Sequence, residues 1–110
     1  MAKIKNAPNT GGLLPQDYTD FNAWIDYWTF KKDGLRNLLR PNKSIYLYRC
    51  SKCGHLFAWG DFDGAHVVKV DSQDPKLYIY PLCKECNRGR EQTPFGGLDV
   101  LLLEMPPKKS

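Results

Sequence analysis

Two cysteine pairs, Cys50-Ser51-Lys52-Cys53 and Cys83-Lys84-Glu85-Cys86, are separated by 29 residues and constrain this chain more than any other feature. A two-residue spacer lets both thiolates of a pair reach one tetrahedral ion at the Zn–S distance of about 2.3 Å. Gly54 follows the first pair and suits the positive φ of a tight knuckle. A helix starting near Cys83–Cys86 would turn backbone N–H groups toward thiolate charge. The pattern predicts one structural zinc per chain, held by Cys50, Cys53, Cys83 and Cys86. Four protein sulfurs leave no open coordination position, so the ion is expected to stabilise the fold and take no part in catalysis. A redox dithiol and an iron–sulfur cluster are the rival uses of such cysteines.

The remaining composition bounds the class. At 110 residues the chain is the size of one ordinary domain. With 42% hydrophobic and 25% charged residues it can build a core, to which 3 Trp, 6 Tyr and 5 Phe contribute. No stretch approaches the roughly 18 apolar residues of a membrane span, so no membrane partner is expected. The start, MAKIKNAPNTGG, lacks an apolar signal segment. That predicts a cytoplasmic, reducing setting, where paired cysteines read as metal ligands before disulfides. The net charge of +4 permits nucleic-acid binding without demanding it.

The hydrophobic pattern predicts an α+β fold. Residues 1–16 read as a flexible arm and 106–110 as a flexible tail, with one zinc-binding domain over 17–105. Within it, Phe21, Trp24, Ile25 and Trp28 fall on one helical face, with Asp17 or Thr19 available as a cap. Gly34 should end or bend this helix, and Leu35, Leu38 and Leu39 continue it as a second short piece up to Pro41. The helical region is 17–41, and its aromatic stripe reads as core packing. From Ser44 the period becomes that of strands: 45–48, 56–59, 65–70 and 77–82, with a turn over 60–64 and a hairpin loop over 71–75. Residues 86–91 open a short helix, and 98–105 form a late strand or helix. Knuckle, hairpin, then a second knuckle at a helix start describes a treble clef over 45–92, beside a small antiparallel sheet.

The stretch Cys50…Cys53…Gly64-Ala65-His66-Val67-Val68…Tyr80-Pro81-Leu82-Cys83-Lys84-Glu85-Cys86-Asn87 resembles the zinc-containing HNH, or ββα-metal, endonuclease family. The resemblance covers residues 45–92, under half of the chain. It implies a structural four-cysteine zinc and a second, Mg- or Mn-type ion for catalysis. His66 matches the general base that activates water. Asn87 matches the metal ligand directly after the second knuckle. Arg90 matches a basic residue facing phosphate. The acidic and first-His positions hold Gly64 and Ala65, which cannot bind metal, and Tyr78 stands where the family's loop Asn is usual. Asp63 is the one nearby carboxylate. The nuclease site therefore reads as degenerate.

Each of these residues also has a plainer reading. His66 is then a buried strand histidine or a substitute zinc ligand, His55 a solvated side chain, and Asn87 a helix cap. Lys84, Arg88 and Arg90 are either a phosphate-facing patch or a solvated face. Three functions follow. The first is a non-catalytic zinc module binding DNA, RNA or a protein. The second is a divergent HNH endonuclease using His66, Asn87 and Asp63. The third is a protein–protein adaptor that docks through the aromatic N-terminal helix. Sequence alone leaves the oligomeric state open.

Overall fold

The computed structural model describes residues 1–89 and 92–109. Its centre is a hairpin. Strand β4 (Phe62–Lys69) pairs antiparallel with β5 (Tyr78–Cys83), in register from Phe62↔Cys83 to Val67↔Tyr78. The loop between them has the turn chemistry its sequence suggests. Asp71 takes φ 59°, and the Asp74 carboxylate accepts from the Lys76 amide at 3.0 Å and the Tyr78 hydroxyl at 2.6 Å. The hairpin starts earlier than expected. Only Trp59–Asp61 form a 3-10 turn, and Gly64 lies inside β4.

Residues 2–6, expected within a flexible arm, are instead the strand β1 (Ala2–Asn6) in the interior of the sheet. The chain alternates Ala2, Ile4 and Asn6 against Lys3 and Lys5, the period of a half-buried strand. Ile4 is completely buried. The order is β6-β1-β4-β5-β7, with β6 (Phe95–Gly97) and β7 (Leu103–Glu104) on the edges, and every pairing is antiparallel. Gly97 is where β6 crosses the core, because a Cβ there would sit 2.7 Å from Ile4 Cδ1 and 3.1 Å from the Tyr80 ring. Of the tail expected at 106–110, Lys109 is likewise tied down, and Ser110 lies outside the described residues. The Lys109 amide donates to the Asp17 carbonyl at 2.9 Å, and its ammonium lies 2.8 Å from Asp20 Oδ1. A separate two-stranded ribbon, β2 (Tyr48–Arg49) with β3 (Leu56–Phe57), flanks the first cysteine pair.

Helix α1 (Trp24–Lys31) lies across β4 and β5. Neither Asp17 nor Thr19 caps it. Ala23 is the N-cap without a side-chain bond, and Thr19 instead accepts from the Phe21 amide at 3.0 Å in the preceding turn. Of the aromatic stripe, Trp24 and Trp28 are buried. Trp28 Nε1 donates to the Leu101 carbonyl at 2.8 Å, so its one polar atom is satisfied. Gly34, at φ 83°, takes the left-handed conformation that separates α1 from a 3-10 turn, Leu35–Leu39. No helix among the described residues is long and apolar enough to cross a membrane.

The closest approach in this packing is at Gly64, where a Cβ would lie 2.7 Å from the Trp24 carbonyl carbon and 2.8 Å from the Ile25 nitrogen. Backbone cannot rotate away as a side chain can. Gly64→Ala is therefore expected to cost at least about 1–3 kcal/mol, the usual range for overpacking. At about 4–8 °C per kcal/mol, its thermal midpoint should fall well below that of Gly60→Ala, whose Cβ meets nothing within 4 Å. Equal midpoints for the two variants would refute the packing argument.

Candidate metal centre and the adjoining cavity

The two cysteine pairs are delivered by different elements. Cys50 directly follows β2, and the knuckle closes through Cys50 N–H to the His55 carbonyl at 2.9 Å and Gly54 N–H to the Cys50 carbonyl at 2.8 Å. Gly54 takes φ 78°, as the knuckle requires. Cys83 ends β5 and serves as N-cap of α2 (Lys84–Arg88), where its sulfur accepts from the Cys86 amide at 3.4 Å. A strand end and a helix start thus place Cys83 and Cys86 beside the knuckle.

All four sulfurs lie within 4.8 Å of one another, and Cys53 and Cys83 are 4.0 Å apart. Tetrahedral Zn–S bonds of about 2.3 Å require S···S separations near 3.8 Å, whereas a disulfide requires about 2.05 Å. The geometry fits a shared cation. Electrostatics agrees. Burial pushes the Cys83 thiol up to about 11 and also raises Cys86, which its cysteine neighbours raise further. Burial likewise opposes the Cys50 thiolate, but hydrogen bonds from the backbone of Cys53, Cys83 and Lys52 outweigh it and hold that thiol low. The raised Cys83 and Cys86 thiols resist ionising beside their neighbours, and a divalent ion would supply the compensating charge. The cysteine group is compatible with a metal such as zinc. Neither His55 nor His66 joins it among the described residues.

Beside this centre, the segment that follows β1 borders a cavity of about 320 Å³, lined by Asn6–Gly11, His66, Asn87, Gly89 and Gln92. The Asn6 amide donates to the Cys86 carbonyl at 3.3 Å, and Lys52 donates to Asn6 Oδ1 at 3.4 Å. Asn6 therefore links the end of β1 to both cysteine pairs. His66 packs edge-on against Trp24, with ring centroids 5.0 Å apart. Its Nε2 has no hydrogen-bond partner among the described residues. Burial lowers its pKa to about 4, which keeps the imidazole neutral at pH 7.

The structure brings His66 and Asn87 to one cavity. The Asn87 amide donates to Asp63 Oδ2 at 3.0 Å, and Arg88 Nε lies 3.3 Å from the same oxygen. Of the expected basic patch, Lys84 is exposed on α2, Arg88 is matched by Asp63, and Arg90 lies outside the described residues. Asn6, which lines the cavity, was not singled out from the sequence, because its role depends on a contact 80 positions away. Trp24 was expected in the core, but its place against His66, 42 positions on, was not legible. Family models, curated proteins and solved structures offer no match to the chain.

Two outcomes are expected. Cys53→Ser or a strong chelator should remove the bound metal, measured by elemental analysis, and collapse the thermal transition, because binding energy at such a site is folding energy. Retention of the wild-type midpoint by metal-free protein would exclude a structural metal. For His66, the unfolded chain takes up a proton near pH 6.5, whereas the folded chain does so only near 4. Stability is therefore lost as pH falls through that window, by about 2 kcal/mol at pH 5 relative to pH 7. His66→Leu should flatten this acid limb by that amount, with metal content measured at both pH values. Parallel limbs in the two proteins would show that His66 does not titrate as a buried imidazole.

Proposed function

We propose that this chain is a zinc-stabilised, HNH-like treble-clef module that binds a partner and does not cut it. The observation that carries this reading is the closure of α1 over β4 at Gly64. The resemblance places the catalytic ion's ligands at the Gly64 or Ala65 position and at Asn87. Gly64 has no side chain and no room for one, and Ala65 is completely buried. Asn87 remains, with its amide committed to Asp63, and the Asp63 carboxylate is already matched by Arg88. A Mg²⁺-type ion needs several hard oxygens in near-octahedral array. A neutral His66 can accept a proton, but with no such ion the charge developing on a phosphate has no Lewis acid to stabilise it.

Two other readings each have one observation in their favour. For a divergent nuclease it is the shared cavity of His66 and Asn87, with Asp63 Oδ2 3.0 Å from the Asn87 amide. For a protein adaptor it is the outer side of α1. Phe30 is 66% exposed and packs tilted against Phe21, ring centroids 5.4 Å apart, while Lys31 lies over Tyr27 and Phe30. Trp24 and Trp28 belong to the core, so an adaptor surface would have to be Phe21, Tyr27 and Phe30.

Elemental analysis paired with a plasmid-nicking assay separates a non-catalytic binding module from a nuclease. The expected result is one zinc per chain and no nicking with added Mg²⁺ or Mn²⁺. Nicking that disappears in a folded, zinc-loaded His66→Ala variant would overturn the proposal and make the chain a divergent nuclease.

A further inference from the structure

Charge is distributed very unevenly along the chain. Between Asp33 and Asp61 stand Arg36, Arg40, Lys43, Arg49 and Lys52, with no Asp or Glu among them. The rest of the chain carries 11 basic and 12 acidic side chains, so the whole net charge of +4 originates in this stretch.

The fold brings four of these cations, Arg36, Arg40, Lys43 and Arg49, onto adjoining segments, while Lys52 turns toward Asn6 and Phe95. The Leu35–Leu39 turn packs on β2, and Arg36 lies over the rings of Trp59 at 5.4 Å and Tyr48 at 5.9 Å. Arg40 and Arg49 line one surface cavity of about 260 Å³ with Leu38, Pro41 and Ser51. Arg40 donates to the carbonyls of Ile45 and Lys43 and to Asn37 Oδ1, and so pins the 41–46 loop, every residue of which is exposed. Its guanidinium covers one face of the Tyr46 ring at 4.5 Å, and Tyr46 is 74% exposed. Among the described residues, Arg36, Arg40, Lys43 and Arg49 form no ion pair, although six other cationic groups do.

We propose that this face binds single-stranded nucleic acid, with Tyr46 stacking on a base and Lys43, Arg49 and Arg40 meeting the phosphates. The inference rests on the reading of the chain as a binding module and chooses its partner. A ring held on one side by a guanidinium and open on the other is a stacking platform, and unpaired cations around it track a phosphate chain. An acidic polypeptide would satisfy the cations but would leave Tyr46 without a counterpart. The face is distinct from α2, where Arg88 is already matched by Asp63.

The test is fluorescence anisotropy of full-length, zinc-loaded protein with labelled oligo-dT and oligo-rU of about 20 nucleotides, in buffer free of Mg²⁺ and Mn²⁺. A hairpin duplex and poly-glutamate serve as competitors. Affinity should fall with salt at a log–log slope of about −2, from about three phosphate contacts at about −0.7 each. The pair Lys43→Gln and Arg49→Gln should reduce that slope by about 1.4. Tyr46→Ala should weaken oligonucleotide binding about 5- to 150-fold, the range for loss of one stacked base, with zinc content and thermal midpoint unchanged. Lys84→Gln should have no effect. The proposal is overturned if wild type binds neither oligonucleotide, or if Lys84→Gln weakens binding more than the Lys43/Arg49 pair. It is equally overturned if poly-glutamate competes as well as oligo-dT and Tyr46→Ala changes nothing, which would mark an acidic protein as the partner. Nicking of plasmid would overturn the non-catalytic reading while leaving binding through Tyr46 standing, so the two failures are distinguishable.

Discussion

A Cβ at position 64 would meet the backbone of Trp24 at 2.7 Å, so α1 can cross β4 only where the strand carries glycine. That approach sets the depth at which the helix seats. Trp28 then reaches the interior and finds the Leu101 carbonyl, and Trp24 lies against the His66 ring. The same contact settles what β4 can offer chemically. A carboxylate or imidazole at position 64 would have to occupy the volume that the helix backbone fills. Seating the helix and holding an ion at that point of the strand are mutually exclusive, and this chain has taken the helix.

The cysteine group works at the other end of the same hairpin. β5 runs into Cys83, and Cys83 caps α2, so the helix that carries Cys86 and Asn87 has its position fixed by a sulfur. α2 is only five residues long, too short to be stable by propensity alone. It is held by the cap, by the Asn6–Cys86 bond and by the Asn87–Asp63–Arg88 cluster. An ion shared by the four sulfurs would join the β2–β3 ribbon to the five-stranded sheet, which gives a small core a cross-link it cannot make from apolar burial alone. Lys52 and Asn6 carry that linkage on to β1.

Which parts of this were legible in the sequence follows from the range of the interactions. The cysteine cluster was, because a two-residue spacer fixes local geometry whatever the rest of the chain does. Helix α1, the 71–75 loop and the Gly34 break were also, since each depends on periodicity or turn chemistry within a few residues. β1 was not, although Ala2, Ile4 and Asn6 alternate with lysines. A terminal segment with one large apolar residue becomes a central strand only because β4 and β6 are there to pair with it. β6 was hidden for the opposite reason. Gly96 and Gly97 argue against a strand locally, yet Gly97 is what lets the chain pass Ile4 and Tyr80. The near coincidence of His66 and Asn87 was suggested by the resemblance, while the burial and pairing that weigh against catalysis there come from α1 and Arg88, which lie outside or at the margin of the matched positions.

Charge placement follows the same division. On the sheet, cations and carboxylates sit within reach of one another: Lys3 with Asp71, Lys69 with Asp74, Lys76 with Glu104, and Arg88 with Asp63. Exposed pairs of this kind contribute little stability, but they leave the sheet side nearly neutral as a field source. The segment from Arg36 to Arg49 forms no such pair among the described residues, so its potential reaches out by a Debye length, about 8 Å at physiological salt. Two of its arginines, Arg36 and Arg40, are half-buried and held against aromatic rings, so much of their rotamer freedom is already lost. A cationic surface that is ordered in advance favours a polyanion over a neutral partner. The exposed Tyr46 ring then distinguishes a polyanion that carries flat bases from one that does not.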